Sequence, residues 1–170
     1  DGSRAEITVR GDGNSAAASA DEDSTARASI IGDTSSAVAT ANLDGYAAAR
    51  ITGDSNVASS DALGQTSIAR ITGDDSAASA TAAEARAEAT TFGDGNAAQA
   101  TDGRAVTSGD GSTATADGPG SLARVWGNGS TADSLGERNT TFVWGDDSRA
   151  IAGPGIYNNA LVFGNNLLAD

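Results

Sequence analysis

Residues 69–80 read ARITGDDSAASA, and the same hexapeptide, ARITGD, stands twenty residues earlier at 49–54. Six identical residues at a fixed offset, with no nucleophile pair and little bulk among them, point to a stacked repeat rather than a reactive motif. Aligning the chain on the glycine of each GD or GN gives Gly11, Gly32, Gly53, Gly73, Gly93, Gly109, Gly127, Gly145 and Gly164. The successive spacings are 21, 21, 20, 20, 16, 18, 18 and 19 residues.

Other columns are keyed to that glycine. Five residues after it stands alanine in all nine units, from Ala16 and Ala37 through to Ala169. Three after it stands Ser or Asn in eight of nine. Two before it the residue is always β-branched: Val9, Ile30, Ile51, Ile71, Thr91, Thr107, Val125, Val143 and Val162. Both arms alternate with period two, the mark of strands that bury one face. The step from the β-branched column to the Ser/Asn column is odd, so parity shifts at Gly-Asp, as it does where two strands meet at a corner and both keep small residues inward. Glycine opens backbone angles closed to other residues there, and Asp suits the turn by bonding its own backbone two residues on. The length variation falls at the opposite corner, in ADEDS, ANLDG, ALGQ, AAEARA, TDG, DGPG, LGER and GPGIYN.

The pattern predicts an all-β chain, residues 1–170 forming a single parallel β-solenoid domain. It would have about eight coils of 16–21 residues, two main strands per coil, and a narrow Ala/Ser/β-branched core. Within AAEARAEA helix propensity and strand register disagree. Register places Ala87 and Ala89 inside, with room for a helical turn before them.

Composition agrees with a thin core. Cysteine, histidine, methionine and lysine are absent, and only seven residues are aromatic. The formal charge is −13, with 23 acidic residues against ten arginines. Such a surface repels nucleic acid and anionic membranes. No apolar run reaches the length of a membrane span. A chain that opens DGSRAE reads as processed or trimmed, and the composition suits an exported protein at the cell surface or outside it.

The repeat S-x-A-x-[I/V]-x-G-x-x-S-x-A-x-[A/G], seen at Ser67–Ala80 and Ser121–Ser134, resembles the β-roll head repeats of trimeric autotransporter adhesins and related Ala/Ser/Gly-rich bacterial surface solenoids. The resemblance implies a surface-exposed, adhesive and often trimeric β-roll. The coils here are longer and vary more at one corner than those heads, and no heptad stalk accompanies them.

Without His or Cys the usual nucleophilic triads cannot be assembled, and no catalytic constellation stands out, so the expectation is a protein without enzymatic activity. Three surfaces stand as candidate sites. In register, Asp12, Asp33, Asp54, Asp74, Asp94, Asp110 and Asp146 form a ladder of like charges, completed by Asn128 and Asn165. It reads either as hydrogen-bonded turn chemistry or as a row of oxygen ligands for Ca²⁺. The outward face after the corner is flat and rich in Ser, Thr and Ala, including the T-x-T pair Thr113 and Thr115. It suits contact with a sister chain, a bland solvated surface or ice. The outward face before the corner carries Arg27, Arg50 and Arg70 early. Later it carries Phe92, Trp126, Trp144 and Phe163, with Phe142 and Leu161 two residues further back. Aromatics gathered on one strip mark an interface, unless the later loops, GPGIYNN above all, fold over them. The function expected is a structural or adhesive solenoid, a homo-oligomer or a binder of a surface partner. An ice-binding solenoid and a cation-stabilised surface protein are the alternatives.

Overall fold

In a computed structural model the chain is all-β, with no helix among the described residues. These are all but 1, 3, 22–23, 83–85, 119–121, 137, 139, 146, 148, 156, 158, 165–167 and 170. Strands entering the Gly-Asp corner are β1 (Arg4–Arg10), β3 (Thr25–Ile31), β7 (Arg86–Phe92), β9 (Gly103–Ser108), β11 (Leu122–Trp126), β13 (Thr140–Trp144) and β15 (Asn159–Phe163). Strands leaving it are β2 (Ser15–Ala20), β6 (Ala77–Ala82), β8 (Ala97–Thr101), β10 (Thr113–Asp117), β12 (Thr131–Leu135), β14 (Arg149–Ala152) and β16 (Leu168–Ala169). β4 (Ser36–Thr52) and β5 (Val57–Thr72) each run from the exit sheet into the entry sheet without a break.

Every strand pairing among the described residues is parallel, and it joins equivalent positions of successive coils. Ala37 faces Ala58, then Ala78, Ala98 and Ala114; Ile30 faces Ile51, then Ile71, Thr91, Thr107, Val125 and Val143. The glycine alignment is therefore the register itself. The stack makes about seven turns.

The far corner is less loop-like than its varied sequence suggests. ANLDG and ALGQ lie within β4 and β5, and the chain rounds the corner in extended form, with register irregularities between Ala41 and Tyr46. Ala87 and Ala89 are fully buried in β7, as register requires, while Ala85 lies outside the described residues.

The core consists of alanine columns with one branched residue per coil. Ile30, Ile71, Val125 and Val143 are its largest fully buried apolar side chains. Small residues bring the sheets together: Ser60 Oγ and Ser67 Oγ meet at 2.8 Å, and Ser67 Oγ donates to the Ser60 carbonyl at 2.8 Å. Ser134 and Thr141 make a second hydroxyl pair nearer the C-terminal end, with Thr141 in the column of Ala69 rather than that of Ser67. Cohesion thus comes from many small contacts at close range rather than a few large side chains.

The Gly-Asp corner is where the stack is most constrained. At the coil-two corner four consecutive N–H groups find partners. Gly32 donates to the Thr52 carbonyl at 2.9 Å and Thr34 to the Asp54 carbonyl at 2.9 Å. Asp33 donates to Asp12 Oδ1 at 3.0 Å, and Ser35 donates to Asn56 Oδ1. Gly73 takes φ +149°, and a methyl group there would overlap the Gly53 carbonyl beneath it. Two residues on, the chain enters the left-handed region. Gly111 does so at φ +65°, and Thr34, Ser55 and Asp75 do so with side chains, at φ +54°, +56° and +52°.

Gly73→Ala should therefore cost about 2–4 kcal/mol, through backbone overlap and strain together. Gly111→Ala, with nothing within 4 Å of the added carbon, should cost only about 1 kcal/mol. Equal midpoints for the two variants in chemical denaturation would contradict this account of the corner. In the branched column, Thr91 and Thr107 bury hydroxyls that have no hydrogen-bond partner among the described residues. Thr91→Val and Thr107→Val should each stabilise the fold by about 1 kcal/mol, measured by the same titration.

Candidate functional site

Two ladders of side chains run up the Gly-Asp corner, and their bonds point in opposite directions. In the outer ladder each N–H donates to the carboxylate one coil earlier. Asp54 donates to Asp33 at 2.8 Å, Asp74 to Asp54 at 2.9 Å, Asp94 to Asp74 at 2.8 Å, Asp110 to Asp94 at 2.8 Å and Asn128 to Asp110 at 2.7 Å. In the inner ladder the N–H donates to the side chain one coil later. Asn14 donates to Ser35 at 3.1 Å, Asn56 to Ser76 at 2.9 Å, Asn96 to Ser112 at 3.1 Å and Ser112 to Ser130 at 2.9 Å. Inner-ladder side chains also cap the corner glycines. Asn56 Nδ2 donates to the Gly32 carbonyl at 3.0 Å, and Ser130 Oγ donates to the Gly109 carbonyl at 3.2 Å.

The carboxylates thus do a different job from the one expected of them. They accept a hydrogen bond from the next coil rather than from their own backbone two residues on. The reason is geometric: the corner carries the aspartate N–H away from the sheet ladder, and the equivalent side chain below is the nearest acceptor. The row is exposed and single-file from Asp12 to Asp110. Among the described residues no three acidic side chains converge on one point. Asp146 and Asn165 lie outside the described residues.

The outer face of the entry sheet gathers the aromatic residues. Trp126, Trp144 and Phe163 are successive partners in one column, and Arg124, Phe142 and Leu161 occupy the adjacent column. The rings touch edge to face or tilted: Trp126 and Phe142 centroids lie 6.2 Å apart, Phe142 and Phe163 5.8 Å, Trp144 and Phe163 5.9 Å. Such geometry is the favoured one for aromatic pairs. Arg124, Trp126, Phe142 and Trp144 line a shallow hollow between them. Phe92 stands in the same column but apart, because Ser108 separates it from Trp126. The strip is exposed: Trp144 is 60% accessible, and Tyr157, from the loop that was the alternative cover for it, is itself 66% accessible.

Thr113 and Thr115 lie on the exit sheet, outward as expected. Thr113 pairs with Ala97 and Thr131, and Thr115 with Gln99 and Asp133, so the threonines do not extend into regular rows. Val57, Ala77, Ala97 and Thr113 border a shallow trough where the small residues leave the face low.

Two features escaped the sequence reading. The left-handed position two residues after each corner glycine looked variable, although glycine fills it at Gly13, Gly95, Gly111 and Gly129 and was its only signal. Arg86, Arg104 and Arg124 join Arg27, Arg50 and Arg70 on the entry sheet, each at an odd offset before a corner glycine. Comparison with family models, curated proteins and solved structures returned no match to this chain.

If the carboxylate acts as a hydrogen-bond acceptor in the ladder, Asp74→Ala should lower stability by about 1 kcal/mol, since the Asp94 N–H loses its partner. Asp74→Asn, which keeps an oxygen acceptor as Asn128 does, should match or exceed the wild type in thermal melts. Equal losses from both substitutions would argue against the acceptor role.

Proposed function

We propose that this chain is a non-enzymatic, exported structural or adhesive β-solenoid that acts through its sheet faces, by self-association or by binding a surface. The observation that carries the reading is the exposed strip of Trp126, Trp144 and Phe163, with Phe142 half-buried among them, on a sheet tied together by its coil-to-coil ladders. Contiguous exposed aromatic surface is unusual in proteins that work alone, and Trp, Tyr and Arg are the residues most enriched where interfaces concentrate their energy. A parallel solenoid also supplies long flat faces without deep clefts, which favours extended contact over enclosure of a small substrate. The likeness of the repeat to adhesin β-roll heads supports the same reading, including a place at the cell surface.

The test is the mass of the full chain in solution by light scattering at high salt, where apolar contacts persist and exposed charges are screened. Wild type should exceed the monomer mass, and Trp126→Ser combined with Trp144→Ser should return it to monomer. A double variant whose mass equals that of wild type would remove the aromatic strip from the contact.

A further inference from the structure

Charge is not spread evenly over this molecule. The outward positions of the entry sheet carry Arg4, Arg10, Arg27, Arg50, Arg70, Arg86, Arg104 and Arg124, eight of the ten arginines in the chain. Against them the entry-sheet segments of these strands hold only Glu6 and Glu88, Asp44 and Asp61 lying earlier in β4 and β5, so this one face has a formal charge of +6 in a chain of −13. The remainder, edges and exit sheet together, carries −19.

Most of the positive charge is also uncommitted. Glu88 accepts from Arg70 at 3.2 Å and Arg86 at 3.1 Å, and Arg4 pairs with Glu6. Arg10, Arg27, Arg50, Arg104 and Arg124 have no ion pair among the described residues, and Arg104 Nε is buried without an acceptor. Arg27 lies over the Tyr46 ring, 5.6 Å from its centre.

The spacing identifies the partner. Six consecutive entry strands contribute one of these arginines each: Arg27, Arg50, Arg70, Arg86, Arg104 and Arg124. Six consecutive corners contribute one aspartate each: Asp12, Asp33, Asp54, Asp74, Asp94 and Asp110. The aspartates stand in one row, about 4.8 Å apart; the arginines advance coil by coil along the same axis but in three adjacent columns, Arg50, Arg70 and Arg124 in one, Arg27 and Arg104 in the next, and Arg86 beyond it. In each aspartate Oδ1 is taken by the neighbouring N–H, while Oδ2 makes no hydrogen bond among the described residues. A guanidinium is the natural donor to such an oxygen.

We propose that the arginine-bearing face of one molecule receives the aspartate corner of a second copy, axis alongside axis, with charges matched coil by coil. The contact joins two different surfaces, so it leaves each molecule with a free face and a free corner and propagates into a ring or an open array. The aromatic strip borders the arginine rows at Arg124 and adds an apolar anchor at one end of the contact. This deepens the self-association reading given above and rests on it, but it assigns the contact to charge rather than to the aromatic strip alone.

Sedimentation velocity on the full chain at low and at high ionic strength tests the proposal. Wild type should associate at low salt and weaken at least tenfold on raising it. A face variant, Arg104→Glu with Arg124→Glu, should lose at least tenfold in self-association. A corner variant, Asp54→Asn, Asp74→Asn and Asp94→Asn, keeps the ladder acceptors and should lose as much. Circular dichroism checks that both retain the β-fold. Mixed together, the two variants should form dimers and nothing larger, since only one productive face and one productive corner remain. A wild type that is monomeric at low salt overturns the proposal, even if it binds an anionic polymer such as polygalacturonate. So does association unchanged by salt and by both variants. Loss of mass with the tryptophan pair but not with the charge variants would overturn this contact and leave the aromatic reading standing; the reverse would do the opposite.

Discussion

A parallel solenoid closes only if its corners stack as regularly as its strands, and here one corner carries that requirement. The chain turns at Gly-Asp by entering backbone regions that most residues avoid, and the next coil lies directly on the turn. Glycine is needed both for its φ and because the carbonyl below occupies the space of a side chain. Turning the chain breaks the alternation of the sheet ladder and strands N–H groups that would otherwise be left unpaired. Aspartate on the outside and Ser or Asn on the inside supply the missing acceptors, one bond per coil in each direction. Strand register, core columns and the order of the outer faces all follow from that repeated junction.

Because the interior is specified by alanine, small polar residues and one branched side chain per coil, the outer columns are free to vary in chemistry. Neighbouring coils place equivalent residues about 4.8 Å apart, so a property repeated along the sequence becomes a stripe on the surface. The entry sheet uses this freedom twice. Its early and middle coils repeat arginine, and its last coils repeat aromatic residues in contact with one another. The chain is strongly acidic as a whole, yet its acidic groups concentrate at the corners and edges. A molecule arranged this way has surfaces of opposite charge that both follow the coil repeat, which is the basis of the self-contact proposed above.

Much of the architecture was legible because solenoid contacts are between residues one repeat apart. Val9, Ile30, Ile51 and Ile71 could be aligned by spacing, and the same alignment is the pairing register. Ala87 and Ala89 followed register against helix propensity, since ladder bonds and burial on both sides outweigh a preference of a few tenths of a kcal/mol per residue. The far corner was less legible. ANLDG and ALGQ have turn-like composition, but in β4 and β5 the chain passes through them extended. Phe92 looked like part of the aromatic strip from its column, and only the intervening Ser108 in the stacked strands sets it apart.

The sequence by itself determined which residues repeat, which face inward and where each coil turns, because a period keyed to glycine and a two-residue alternation are local facts carried by neighbours in the chain. The direction of the aspartate bonds was decided only by the tertiary structure. An acceptor two residues away and an acceptor one coil away are equally available on paper, and the fold alone sets which N–H points at which oxygen. The gathering of arginines from six strands onto one face was settled in the same way. Their offsets from the corner differ, and only stacking the coils turns scattered positions into a surface with a sign of charge.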